Sequence, residues 1–249
     1  GAVLLYWLLQ RRRPAAGESQ ASDGTAADWA AVAALCAYLL CFSFAYRTLD
    51  AGSGALILFG SVQLTMFAVA LRHGERFTPS AWLGLALAVA GIVWLLAPGA
   101  SAPPLGGGAL MAAAGIGWGA YSLRGRLASD ALAATTRNFA LAVPFVAAVN
   151  LALIESTAVT ASGAVTAVVS GTAASALGYV VWYRALRSLA AMSAATVQLS
   201  VPVIAAFGGV VLLGEQPTLR LALASALVLG GIALAIVRRR PRLAGASAQ

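Results

Sequence analysis

The 249-residue sequence has no lysine, one histidine, two cysteines and eight acidic residues. Charged residues make up 10% of it, against roughly 25% in an ordinary soluble domain. So few charges cannot cover a water-exposed surface, which excludes a soluble enzyme and a disordered chain. No carboxylate, imidazole or guanidinium lies near the centre of any long apolar run, and the one histidine, His73, lies between two of them. Proton relays in membranes normally use such groups, so coupling through a buried carboxylate and a strongly charged substrate are both disfavoured. There is no HExxH and no pair of candidate catalytic aspartates, so no catalytic residue, metal or cofactor is expected. Cys36 and Cys41 are five apart in one apolar run and point to different faces of a helix. They read as small buried hydrophobes, not as a disulfide or metal ligands.

What the sequence has in excess is apolar surface. Hydrophobic residues are 61% of the chain and the mean hydropathy is +0.87, so the bilayer is the expected solvent. Runs of about 17–25 apolar residues can cross it as helices. Eight are expected, over 27–49, 52–71, 78–97, 106–123, 138–154, 159–183, 190–213 and 217–237. Gly1–Leu9 is apolar but too short to span. It ends in Arg11, Arg12 and Arg13 and reads as the stump of a further helix, not as a signal peptide, whose basic residues would come first. The polar stretch from Gln10 to Asp28 reads as a solvated connection. Richness in Ala, Gly and Arg suggests a GC-rich, bacterial genome.

All 16 basic residues are arginine. In a soluble protein the net charge of +8 would suggest nucleic acid. Here it reads as the positive-inside bias. With Arg11–Arg13 in the cytoplasm and eight crossings, 14 arginines fall on the cytoplasmic side, including Arg137 in the loop before the span 138–154 and those of the tail 238–249. Only Arg47 and Arg220, 2 of the 16, fall outside. The C-terminus is therefore expected in the cytoplasm.

The two halves of the chain repeat each other in order. Tyr46-Arg47-Thr48-Leu49 matches Tyr183-Arg184-Ala185-Leu186. Ser61-Val62-Gln63-Leu64-Thr65 matches Thr196-Val197-Gln198-Leu199-Ser200. Gly74-Glu75-Arg76-Phe77-Thr78 matches Gly214-Glu215-Gln216-Pro217-Thr218, and Gly91-Ile92 matches Gly231-Ile232. In the topology above, Tyr46-Arg47 lies outside and Tyr183-Arg184 inside, while Gly74-Glu75 lies inside and Gly214-Glu215 outside. Inverted repeats of this kind belong to transporters, in which rocking one half against the other alternates access to a midplane site.

These motifs, with Gly115-Ile-Gly-Trp-Gly-Ala-Tyr-Ser-Leu-Arg124 and the runs Trp82–Trp94 and Val197–Val203, resemble the EamA family of the drug/metabolite transporter superfamily over nearly the whole chain. The resemblance implies an all-α integral membrane protein of two inverted-topology repeats, five helices plus five. Here the repeats would be 1–97, lacking its first helix and most of the second, and 106–237, followed by the basic tail 238–249. It implies a secondary transporter or facilitator of small neutral or zwitterionic metabolites, by resemblance an exporter, in the cytoplasmic membrane. The expected partners are lipid and a small-molecule substrate, with no nucleic acid. The competing reading is a non-transporting polytopic protein, either a membrane-embedded enzyme or a helical scaffold.

Six residues are candidates for substrate binding. Gln63 and Gln198 are uncharged amides within spans, able to hold a polar group or, equally, to glue helices. Pro202 frees the Gln198 carbonyl and Ser200 stands beside it, a pocket wall or a mere kink. Trp118 and Tyr121 share a helix face and could line a path, though an interfacial aromatic belt explains them as well. Tyr179 and Trp182 form a similar pair. Gly115 and Gly119, and the set Gly171, Ser175 and Gly178, read as close-packing surfaces. Pro144 is assigned to helix shape alone.

Overall fold

The computed structural model describes residues 27–99, 102–125, 128, 131–153, 160–178, 181 and 200–237. Among these there are helices and turns but no strand. The helices are α1 (Trp29–Ala45), α2 (Ala51–Arg72), α3 (Pro79–Leu96), α4 (Leu105–Gly125), α5 (Ala131–Ala152), α6 (Ala161–Val169), α7 (Ser200–Leu213) and α8 (Leu219–Val237). Two of them, α2 and α3, are both long and apolar enough to cross a bilayer.

The matched Gly-Glu-x-x-Thr segments fold alike, and the chemistry of each position explains why. After α2, Gly74 has φ 77°, and after α7, Gly214 has φ 69°. Such left-handed residues end helices and favour glycine, which has no Cβ to clash. The next residue in each case, Glu75 or Glu215, donates its backbone N–H back into the helix, to Ala70 O at 3.1 Å and to Gly209 O at 3.0 Å. The threonine then opens the next helix. Thr78 Oγ1 accepts from Ala81 N at 3.3 Å and Thr218 Oγ1 from Leu221 N at 3.1 Å. Each takes up one donor that the helix start leaves unpaired. Pro79 occupies the first turn of α3, where a missing N–H costs nothing.

The chain forms two compact units, and each draws on both halves of the sequence. One comprises Gly1–Cys41 with Gly117–Leu189, the other Phe42–Ile116 with Ala190–Gln249.

In the second unit α3 packs along α8 with backbones almost touching. A Cβ on Gly84 would strike the Gly231 carbonyl oxygen, and one on Gly231 would strike that of Gly84. A Cβ on Gly91 would lie 2.7 Å from Val228, 2.9 Å from Leu227 and 3.0 Å from the Ala224 carbonyl oxygen. Position 84 faces 231 while 91 faces 224, so the two helices run antiparallel. Under the sequence match of Gly91 with Gly231, Gly84 corresponds to Ala224, Leu87 to Leu227 and Ala88 to Val228. A Cβ on Gly231 would lie 2.8 Å from Ala88 N and 3.1 Å from Leu87 Cβ, the counterparts of the Gly91 neighbours. The contact set maps onto itself, as it does across a two-fold axis.

Two charged side chains in this unit close helix ends of other segments. Asp50 precedes α2 without capping it. The Glu215 carboxylate does so instead, accepting from Ala51 N at 2.6 Å and Gly52 N at 3.5 Å. Arg220 donates to the carbonyls of Leu95, Ala97 and Pro98 at the C-terminal end of α3. Its guanidinium carbon sits 5.9 Å from the Trp94 ring centroid. Both place charge where the helix dipole favours it.

The structure departs from the sequence expectations at three places. Arg137 lies inside α5, which starts at Ala131, and not in a loop before residue 138. The residue is exposed, and a long side chain can follow the helix surface to reach a polar region. Arg220 lies in the first turn of α8, within the span expected over 217–237. Asp28, read as part of a solvated connection, caps α1 through Ala31 N at 3.1 Å. Finally, α6 continues as a π-helix over Ser170–Leu177. The wider π turn breaks the spacing that would put Gly171, Ser175 and Gly178 on one face. Pro144 is accommodated within α5. Tyr179, Trp182, Gln198 and the tail lie outside the described residues.

Candidate functional site

The strongest concentration of buried polar chemistry among the described residues is in the first unit. Its core is formed by Ala31, Val32 and Leu35 of α1, Tyr121 of α4 and Ala142 of α5. α4 can approach α1 closely because Gly117 has no side chain: a Cβ there would lie 2.9 Å from the Ala34 carbonyl oxygen and 3.0 Å from Tyr38 N. That approach lets the next residue, Trp118, meet Tyr38 with ring centroids 4.8 Å apart and planes tilted by 46°. One turn on, Tyr121 lies 5.5 Å from Trp118.

The aromatic row ends on polar groups of α5. The Tyr121 hydroxyl donates to Thr135 Oγ1 at 3.2 Å, and both residues are buried. Thr136 and Asn138 are buried too. Thr135, Asn138 and Ala142 recur at helical spacing, so α5 turns one face, polar at its start and apolar beyond, toward this core. The Asn138 amide oxygen is enclosed and has no hydrogen-bond partner.

An ion pair closes one end of the cluster. Arg124, at the end of α4, lies 3.1 Å from the Asp28 carboxylate. Burial works against the charge on Asp28, but the backbone N–H of Ala31 and the Arg124 guanidinium outweigh it and hold the carboxyl below its usual range.

The sequence candidates are distributed as follows. Trp118 and Tyr121 come together in this cluster. Tyr121 is turned into protein, with 5% of its surface exposed, which does not suit a lipid-facing belt. Gln63 is half-buried on α2 in the other unit, with no hydrogen bond among the described residues. In that unit Pro202 is buried and Ser200 exposed at the start of the described part of α7. Gln198 lies outside the described residues.

The second unit also holds a groove of about 520 Å³, with walls that include Ser61, Thr65, Arg72, Val89, Ile92 and Ile116 but not Gln63. The Thr65 hydroxyl is already engaged with the Ser61 carbonyl. The groove is thus a mainly apolar surface, less able to orient a polar molecule than the aromatic and amide cluster.

Thr135 and Asn138 were missed by sequence reasoning because the span was started at 138, and Tyr38 because it lies in a uniformly apolar helix. The signal was present: Thr135, Asn138 and Ala142 continue the helical spacing backward through Arg137.

The model of the EamA-like transporter family matches residues 1–97 and again 105–237. An uncharacterized protein of Pseudomonas aeruginosa is 49% identical over 245 residues, which is 98% of this chain and 83% of that protein. A chain of known crystal structure superimposes with a TM-score of 0.54 at 21% identity, over 94% of this chain and 82% of that one. At that identity the likeness concerns the fold alone.

Proposed function

The chain belongs to the EamA-like transporter family, and from that premise we propose that it is a secondary transporter or facilitator, of exporter type, for small neutral or zwitterionic metabolites. It is a membrane protein and, in this reading, a carrier and not an enzyme, working in the cytoplasmic membrane with its C-terminus inside.

The observation that carries the substrate class is the cluster of Tyr38, Trp118, Tyr121, Thr135 and Asn138. It offers ring faces, hydroxyls and an amide, and no charge at its centre. Such a lining suits a molecule with an apolar body and a neutral polar group. Alternating access is supported by the antiparallel α3–α8 pair, whose contacts repeat under the sequence match between the halves. In this reading the domains are the two repeats, 1–97 and 106–237, with a basic cytoplasmic tail. Gln63, Gln198, Ser200 and Pro202 are proposed as further substrate contacts.

Saturable flux of a panel of neutral and zwitterionic metabolites, with the full-length protein in proteoliposomes, tests the proposal. Trp118→Ala should reduce that flux at least about tenfold while the protein remains folded, since a lost aromatic face removes roughly 1.4 kcal/mol or more. Flux indistinguishable from empty liposomes across the panel would sink the transporter reading.

The arginine distribution makes a separate prediction about orientation. In a background with Cys36 and Cys41 replaced by alanine, Ala102→Cys should react with an impermeant maleimide added to intact cells, and Gly125→Cys should react only after permeabilisation. The reverse pattern would invert the topology.

A further inference from the structure

Asn138 stands apart from the other described polar side chains of the first unit. It is 6% exposed, and its amide oxygen makes no hydrogen bond. It lies one turn along α5 from Thr135, which receives the Tyr121 hydroxyl. Leaving a buried acceptor unpaired is costly, and the hydrocarbon around a membrane protein supplies no water to relieve it. A leucine of nearly the same size would avoid that cost, so an asparagine here calls for a reason beyond packing.

We propose that Asn138 is a ligand-recognition residue, whose amide oxygen accepts a hydrogen bond from an N–H group of a small neutral ligand with its apolar body along Trp118 and Tyr38. This deepens the transporter reading and rests on it for the word substrate; the binding event itself is tested apart from flux. The chemistry assigns the donor to the ligand: a carboxylate has only acceptors to offer an oxygen, whereas a primary amide or an amine presents N–H. The neighbouring Tyr121 hydroxyl gives its proton to Thr135, whereas the Asn138 oxygen is a buried acceptor with no donor among the described residues. In the described state it is enclosed, so ligand reaches it when α5 and the aromatic row move apart.

The test uses two probes of equal charge and nearly equal shape, benzamide, which has an N–H, and methyl benzoate, which has none. Binding to the full-length protein in detergent is followed by Trp fluorescence and thermal shift. Wild type should bind benzamide about tenfold more tightly than the ester, the worth of one neutral hydrogen bond in a dry site. Asn138→Leu should bind the two equally, through loss of benzamide affinity alone. It should also raise the ligand-free melting temperature by ~3 °C, because the orphaned acceptor is gone.

Equal affinity for the two probes in wild type overturns the inference. So does a preference for benzamide that survives Asn138→Leu. A melting temperature that falls in Asn138→Leu with probe binding unchanged assigns the residue to structure and overturns it too. A wild type that binds neither probe overturns it as well, while metabolite flux separately decides the transporter reading.

Discussion

Gly231→Leu should leave no stably folded protein, whereas Gly230→Leu, one position away, should be close to neutral. Both lie in α8, and leucine is a better helix former than glycine by most of a kcal/mol. Local propensity therefore favours both changes. The difference lies in what a side chain would meet. At Gly230 nothing lies within 4 Å. At Gly231 the first carbon would strike the Gly84 carbonyl oxygen and press to 2.8 Å from Ala88 N. Those are backbone atoms of a helix and cannot rotate away. Relief requires α3 and α8 to separate along their length, which forfeits the packing on which helix association in lipid depends. Overpacking typically costs 1–3 kcal/mol where side chains can yield, so about 3 kcal/mol or more is expected here. Size-exclusion profile and thermal unfolding in detergent read it, and Gly84→Leu should behave like Gly231→Leu. Equal melting temperatures for the two α8 variants would disprove the close antiparallel crossing.

Glu215→Ala should destabilise the protein by about 2 kcal/mol, and Gly209→Ala by a similar amount for the same reason. The Glu215 carboxylate accepts from two backbone donors at the start of α2. Hydrogen bonds to a charged group are worth about 1.5–3 kcal/mol, and Asp50 at the usual cap position does not substitute for it. Gly209 matters because a methyl group there would collide with one carboxylate oxygen and come within 2.7 Å of Glu215 Cδ. The alanine at 209 thus pushes the carboxylate off the donors that the alanine at 215 removes it from. The double variant should cost little more than either single one, a coupling that a thermodynamic cycle measures directly. Strict additivity would show that the two residues act independently and that the cap is not the source of the loss.

How far the sequence alone could go depends on the range of the interaction concerned. The helices, the turn glycines Gly74 and Gly214, and the threonine caps are set by residues within a few positions, and each can be read in order along the chain. The EamA resemblance depended on the same local motifs. Arg220 shows where that reading stops. Counted as a charge on the outer side it helps to set orientation, but its partners at the end of α3 are distant in sequence, so its capping role could not be read from its neighbours. Arg137 misled in the opposite way, because one charge seemed to end an apolar run that the helix carries straight through. The π-helix at Ser170–Leu177 had no visible marker, since small residues such as Gly, Ala and Ser allow either winding. Of the site, the aromatic pair on α4 was legible from its three-residue spacing. Tyr38 was hidden in a uniformly apolar helix, and Asn138 at a misplaced boundary.

The antiparallel meeting of α3 and α8 also orders events during biosynthesis. When α3 leaves the ribosome, its glycine face at Gly84 and Gly91 has no partner, because α8 has yet to be translated. The exposed groove must wait in the membrane while α4, α5, α6 and α7 are made. Closure of the second unit is therefore a late, long-range step, and such steps are slow because distant segments must first find each other. A translational pause placed before α8 would lengthen the interval in which the half-built bundle is vulnerable to quality-control proteases.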